Sequence, residues 1–290
     1  MRSLHEVAAP AKLNLFLHVT GRRPDGYHLL QSVFMLLDWH DTLHFERRPG
    51  GKLSREDLAA PLPEEDLTLR AARALQQATG CGQGAHIALD KRLPAEAGMG
   101  GGSSDAASCL LALNRLWQLR LPLPALEQIG LALGADVPFF LRGRNAWVEG
   151  VGERITPLTL PAARFAVVKP PRGLATTDIF QHPALKRDSD SATISGFAAD
   201  PWGFGRNDAE SVARQLCPEV GEAIEWLGSQ GLRARMTGSG SAVFALLPPG
   251  SSLAQAPEHW AQAGWVVREC GNMEVHPLVG WAPSDDSVGG

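Results

Sequence analysis

Cysteine is scarce in this sequence, tyrosine scarcer still, and neither sign of charge dominates. The four cysteines, Cys81, Cys109, Cys217 and Cys270, lie far apart with no CxxC pair and no paired histidine. That spacing speaks against a zinc ribbon or a redox pair and leads to the expectation of free thiols in a reducing, cytoplasmic setting. Against 27 basic residues stand 31 acidic ones, a net charge of −4. Nothing there favours a nucleic-acid or membrane partner, so any anionic ligand must be held by local groups. No apolar run approaches the ~18 residues of a spanning helix. Glu6, Lys12 and Asn14 break up the start, so no signal peptide is expected. No internal repeat is present. What remains is an ordinary globular composition, 44% hydrophobic, in a chain of 290 residues, long enough for two domains.

The richest stretch is Pro94-Ala95-Glu96-Ala97-Gly98-Met99-Gly100-Gly101-Gly102-Ser103-Ser104-Asp105. A short strand, His86–Leu89, precedes it, and Ala106, Leu110, Leu113 and Trp117 after it fall on one helical face. Strand, glycine turn and helix start together make an anion site, because first-turn N–H groups and the positive end of the helix dipole point into the loop. The plain alternative is a flexible turn with Ser104 or Asp105 as the N-cap. A P-loop needs Lys-Ser/Thr directly after the last glycine, and Ser103-Ser104-Asp105 stands there instead. A dinucleotide fingerprint needs an acidic residue about 20 positions on, where Leu121-Pro122-Leu123-Pro124 lies.

The alternation in Lys12–Val19 predicts a strand with Lys12, Asn14, Phe16 and His18 on one face. Lys12 is then a solvated strand-end residue unless a site faces it. Pro24-Asp25-Gly26 predicts a turn that delivers Tyr27, the only tyrosine, and His28 to a further apolar segment ending near Leu37. Strand is also expected at Leu43–Phe45, an exposed connection over 49–63, and helices over Asp66–Thr79 and Leu123–Leu133, the latter ending at Gly134. Pro138 disfavours helix at Val137, which puts Asp136 between a helix end and a following strand. It is there a turn residue or a carboxylate held at a cleft edge, and spacing leaves both open. From about Pro161, strands are expected at 165–168, 233–236, 242–247 and 265–268, with helices at 208–216 and 220–229, which is an α+β unit. The turn Thr237-Gly238-Ser239-Gly240-Ser241 lies between the second and third of these strands. The tail from Pro283 reads as frayed.

Taken together, Pro10-Ala11-Lys12-Leu13-Asn14-Leu15, the central Gly98–Ala107 loop and the late Thr-Gly-Ser-Gly-Ser turn resemble the galactokinase, homoserine kinase, mevalonate kinase and phosphomevalonate kinase superfamily. Gly21–His28, Gly134–Phe140 and Arg206-Asn207-Asp208 resemble one branch of it, whose acceptor is cytidine-diphosphate methylerythritol. The resemblance runs from about residue 8 to 247. It implies an α+β, two-domain small-molecule kinase fold, residues 1–160 and 161–282 with a flexible tail 283–290, and an active site in the interdomain cleft. It further implies a monomer or homodimer that uses ATP and Mg²⁺ to phosphorylate the 2-hydroxyl of the methylerythritol moiety. Asp136 is implied as the base, and Lys12 as the cation beside the nucleophile and the moving phosphoryl group. Lys91, Pro94, Gly98, Met99, Gly100, Gly101, Gly102, Ser103 and Ser104 are implied around ATP, with Ser103 or Ser104 near the metal. Asn14, Tyr27, His28 and Phe180 are implied at the cytidine end, and Gly238, Ser239, Gly240 and Ser241 along the substrate phosphates. The helix glutamate that several relatives use toward Mg²⁺ has no match here; neither Glu96 nor Glu127 fits.

Overall fold

The computed structural model of the chain describes residues 1–59 and 61–284. Two long strands set its frame. β1 (Ser3–Arg22) and β2 (His28–Arg48) form an antiparallel hairpin across the Pro24-Asp25-Gly26 turn. Register shifts at Pro10/Lys12 and Asn14/Leu17 bend β1, so its middle is buried on both faces. Next come β3 (Leu53–Asp57), α1 (Leu67–Thr79) and β4 (Gly84–Asp90). α1 begins where Asp66 accepts from Leu69 N at 3.0 Å and ends on Gly80, in the left-handed region at φ +64°. The 49–63 segment is therefore more than a connection: Leu53–Asp57 runs parallel to β4, an edge strand whose mixed polarity hid it from periodicity.

α2 (Gly101–Leu116) is the central helix, buried nearly all round from Ser104 to Leu116, as a helix walled on every side must be. Its N-cap is Gly100, and Asp105 lies inside the helix rather than capping it. α3 (Leu123–Leu133) follows, and then α4 (Val137–Arg142) stands where a strand is expected after Asp136. Pro138 occupies the first turn of that helix, where its missing N–H leaves no bond broken. β5 (Ala146–Gly150) and β6 (Arg154–Pro157) close the first half, β5 pairing with β2.

The second half contains β7 (Arg164–Lys169), α5 (Thr176–Gln181), α6 (Ile194–Ala199), α7 (Glu210–Leu216) and α8 (Glu219–Ser229). It finishes with β8 (Ala234–Met236), β9 (Val243–Leu247), α9 (Glu258–Gln262) and β10 (Val266–Met273). β10 pairs along β7, and its last residues Asn272 and Met273 pair with Leu37 and Leu36 of β2. The strands thus run β3-β4-β2-β10-β7-β9-β8, with the end of the chain stitched into the N-terminal hairpin. Pro283 is held as well, its carbonyl accepting from Leu123 N at 2.9 Å; the tail expected beyond 284 lies outside the described residues. All four cysteines are free. Among the described residues no helix is long and apolar enough to cross a membrane.

Candidate active site

β1 carries Lys12 into the interior. Only 3% of the residue is exposed, so the solvated strand-end reading fails. Its ammonium donates to Asn14 Oδ1 beside it, lies 3.5 Å from Asp136 Oδ2, and sits 4.6 Å from the centre of the Phe34 ring. Burial pulls the Lys12 pKa down, and the Asp136 carboxylate opposes that pull. Asp136 occupies the N-cap position of α4, yet its side chain makes no capping bond and stays 29% exposed. Its carboxylate is thus free of capping duty and faces one buried cation.

The glycine loop closes on this corner through its backbone. Lys12 N donates to Met99 O at 2.9 Å, and a Cβ on Gly100 would sit 2.9 Å from Phe140 and 3.2 Å from Lys12 Cε. Only glycine admits that approach. Gly100 and Gly98 both have positive φ, +72° and +71°. The first intrahelical bond of α2 runs from Ser104 N to Gly100 O, so the N–H groups of Gly101, Gly102 and Ser103 stand ahead of it with no side-chain cap. That is an anion cradle of the expected kind. Met99 is buried in the core, while Pro94 and Gly98 are half-buried in the loop wall. The two serines part company. Ser104 is fully buried with its hydroxyl unpartnered, whereas Ser103 is half-buried on the side of Gly134, close to Asp136 in sequence.

Lys91 lies at the mouth of the loop, near where a Cβ on Gly101 would fall, but its ammonium is already engaged. It donates to Asp41, and to Asp105 Oδ2 at 2.6 Å. Asp41 Oδ1 also accepts from the N–H groups of Arg92 and Leu93, at 2.6 and 2.7 Å. Two carboxylates and one lysine thereby tie β2, the loop entry and α2 together. Burial drags the Lys91 pKa down, but the two carboxylates win and raise it. Burial raises Asp105 to about 7, with Lys91 opposing and Asp41 reinforcing, and Asp105 Oδ1 has no partner. Neither Asp41 nor the pairing of Asp105 has a signal in the sequence, because both depend on Lys91 meeting residues 50 and 14 positions away.

The late turn interlocks with this loop. Asn14 N donates to Thr237 Oγ1 at 2.8 Å, Ser241 N to Glu96 O at 3.1 Å, and Ala242 N to Ala97 O at 3.2 Å. A Cβ on Gly98 would strike the Thr237 carbonyl, and one on Gly238 would lie 2.7 Å from the Gly98 carbonyl. The second glycine turn is therefore the other wall of the first. Ser241 is buried and donates to Arg172 O at 2.6 Å, Gly240 is buried, and half-buried Ser239 shares a hydrogen bond with Thr176 at 2.9 Å.

His28 and Phe180 come together, and Tyr27 precedes His28 on the hairpin turn. Tyr27 is 65% exposed, and the His28 and Phe180 rings lie 5.3 Å apart. Arg187 donates to His28 Nε2 at 3.0 Å and holds the carbonyls of Phe180 and His182 at 3.1 and 2.8 Å. Burial, then the charges of Arg187 and Arg22, push the His28 pKa down. Asn14 does not join these residues. It is 2% exposed, its Oδ1 accepts from Lys12 and its Nδ2 donates to Ser32 at 2.9 Å, which makes it a neighbour of the lysine.

Known proteins resemble this chain along nearly its whole length. Residues 66–144 match the family model described as GHMP kinases N terminal domain, and residues 200–265 match GHMP kinases C terminal. The chain is 64% identical over 290 residues to a protein of Paracidovorax citrulli named 4-diphosphocytidyl-2-C-methyl-D-erythritol kinase, covering 99% of this chain and 100% of that one. A protein of the same name from Delftia acidovorans is 65% identical over 293 residues, again with 99% and 100% coverage. A crystal structure of 4-(cytidine 5'-diphospho)-2C-methyl-D-erythritol kinase superposes with a TM-score of 0.73 at 35% identity, over 92% of this chain and 99% of that one.

Proposed function

Since the chain belongs to the GHMP kinases, in the branch of the 4-diphosphocytidyl-2-C-methyl-D-erythritol kinases, we propose that it moves the γ-phosphoryl group of ATP to the 2-hydroxyl of that cytidine-linked substrate. The observation that carries the reading is the Lys12–Asp136 pair, 3.5 Å apart, beside a glycine loop that opens a buried helix.

Asp136 takes the hydroxyl proton as the oxygen forms its bond to the γ-phosphorus and the bond to the β-bridging oxygen breaks, releasing ADP. Lys12 offsets the negative charge gathering on the nucleophile and the moving group. Its burial leaves it poorly hydrated, so its field on these atoms is stronger than in water. The N–H groups of Gly101, Gly102 and Ser103 receive the ATP phosphates, with Pro94, Gly98 and Met99 shaping the loop. Lys91 holds this cradle in place through Asp41 and Asp105 and adds positive potential at its mouth. Tyr27 and Phe180 flank the cytosine and His28 lies against its edge, while Gly238–Ser241 runs along the substrate phosphates. Residues 1–160 and 161–282 act as the two lobes, with the reaction between them.

The donor set suits Mg²⁺ arriving on the nucleotide. Among the described residues no group of three or more His, Cys, Asp or Glu side chains is placed to hold a metal. Mg²⁺ keeps most of its waters and needs only one or two protein oxygens besides phosphate. Ser103, half-buried at the open side of α2, is the hydroxyl that fits; the Ser104 hydroxyl is sealed inside. Bound there, the ion neutralises phosphate charge.

The test is a coupled assay with ATP and Mg²⁺ across three acceptors. Turnover of the cytidine substrate, with mevalonate and homoserine inert, is expected. Comparable turnover of mevalonate without the cytidine substrate would overturn the assignment.

A further inference from the structure

A cavity of about 570 Å³ lies outside the catalytic corner, between the 205–208 stretch, α7 and β8. That volume is within the range of small-molecule sites. Its lining carries five cations, Lys186, Arg206, Arg214, Arg233 and Arg235. In a chain of net charge −4 this is a local excess of the opposite sign.

The two acids in the wall offset it only in part, Asp208 through its pairing with Arg206 and Glu210 through its charge beside Arg235. Asp208 Oδ2 accepts from Val19 N at 2.8 Å and Ser189 Oγ at 2.6 Å, and its Oδ1 from Arg206 Nε at 2.8 Å. Glu210 accepts from Met236 N at 3.0 Å. Arg235 forms the floor, donating to the carbonyls of Leu15, Phe204 and Trp202. Of the other cations, Lys186 is paired with Asp188 and Arg206 with Asp208, which leaves Arg214 and Arg233 the least compensated. Arg233 makes one bond, to Gly203 O at 3.0 Å, and has no ion pair. Arg214 has only Glu225, 3.9 Å away across the surface. Arg233 lies just before β8 and Arg235 within it, and burial and then the Arg233 charge pull the Arg235 pKa down. The Arg233 charge acts on Arg235 more strongly than either Glu210 or Asp200 does, and an anion relieves that repulsion.

The same wall supports the active site. Asn207 Nδ2 donates to Met236 O and Gly238 O, both at 2.8 Å, and so holds the base of the glycine turn that meets Gly98. We propose that the cavity is a second anion site, for a compact ligand with two or more phosphate groups, and that its occupancy shifts the Thr237–Ser241 turn. One phosphate fills little of the volume, and the cations stand on separate segments of chain, which suits a ligand with spaced charges.

The test goes beyond the kinase assignment and reads binding directly. Magnesium pyrophosphate is titrated calorimetrically into the full chain already saturated with a non-hydrolysable ATP analogue and the acceptor, so the catalytic corner is filled. One-site binding is expected, with inorganic phosphate weaker. Arg214→Gln and Arg233→Gln should each weaken it by about tenfold, the weight of one charge-assisted hydrogen bond, with basal kcat and KM unchanged. At saturating ATP and acceptor, pyrophosphate should alter kcat in the wild type and not in the double variant. No heat with the filled protein, or equal affinity in the double variant, overturns the site. Inhibition that is purely competitive with ATP, and the same in both proteins, also overturns it. Binding that leaves kcat untouched overturns the coupling to the turn.

Discussion

The two ends of the candidate cleft are built on opposite plans. At the reacting end Lys12 is buried, its backbone is bonded to the glycine loop, and the loop is locked against the late turn by contacts that no side chain larger than hydrogen allows. At the end proposed for the cytidine, Tyr27 stands 65% exposed on a hairpin turn, and the His28 and Phe180 rings lie 5.3 Å apart. Phosphoryl transfer depends on atoms held within fractions of an ångström, whereas stacking on a base tolerates sliding. In the proposed reading, rigidity is concentrated where alignment matters, and the end assigned to the cytidine is left open.

The largest effects are expected from breaking the rigid end at its chemistry. Asp136→Asn and Lys12→Ala should each lower kcat by about 10²–10⁴-fold, the range of a positioned proton acceptor or charge. The double variant should be little worse than either single one, since both act on one transition state. Steady-state and single-turnover assays measure this, and two small additive losses would return both residues to structural roles.

Next is the interlock itself. Gly98→Ala puts a methyl group against the Thr237 carbonyl in a left-handed backbone, and should cost about 1–3 kcal/mol or more of stability. Denaturant titration reads the loss. A variant as stable as the wild type would mean the two turns are not in contact.

The buried tie behind the loop gives a pH signature. Asp105 is raised from 3.8 to about 7, so between those values the folded chain binds more protons than the unfolded one. Its contribution is full below about pH 4 and is lost as pH rises through about 7. Asp105→Asn should therefore flatten the fall in stability between about pH 4 and 7. The flattening should be about 1–3 kcal/mol, discounted from the ~1.4 kcal/mol per pKa unit because the group is coupled. Melting curves across that range check it, and identical pH slopes in both proteins would place the titration elsewhere.

The smallest effect sharpens the contrast from the open end. Tyr27→Ala should raise the Kd of the cytidine substrate roughly 5- to 150-fold, from about 1–3 kcal/mol of stacking, with ATP affinity unchanged. Its exposure means stability should move by no more than about 0.5 kcal/mol. Tyr27→Phe should keep most of the affinity. A large drop in melting temperature with unaltered substrate binding would remove the stacking role.

Much of this was legible in the residues. Alternation in Lys12–Val19 set Lys12 beside Asn14, and the ammonium does bond to that amide. Glycines followed by an apolar helical stripe marked the start of α2. The α4 helix was missed because Pro138 weighs against helix before it while being welcome inside the first turn, and a six-residue helix is too short to show a period. Leu53–Asp57 was missed because an edge strand of mixed polarity has no apolar rhythm. Assigning Asn14 to the cytidine end and Lys91 to the phosphates followed from resemblance; the side chains themselves are taken up by Ser32, Asp41 and Asp105.

The sequence by itself determined what is encoded within one turn or one strand: capping at Asp66, the glycine loop, the hairpin at Pro24-Asp25-Gly26, and the face that Lys12 shares with Asn14. Those depend on backbone preference and side-chain period, which act over a few residues. Only the tertiary structure decided that Asn14 meets Thr237 across 223 positions, that Gly98 and Gly238 close on each other, and that β10 returns to pair with β2. Contacts at that separation are chosen by packing and by pairing of buried polar groups, and nothing in the local sequence around either partner records the other.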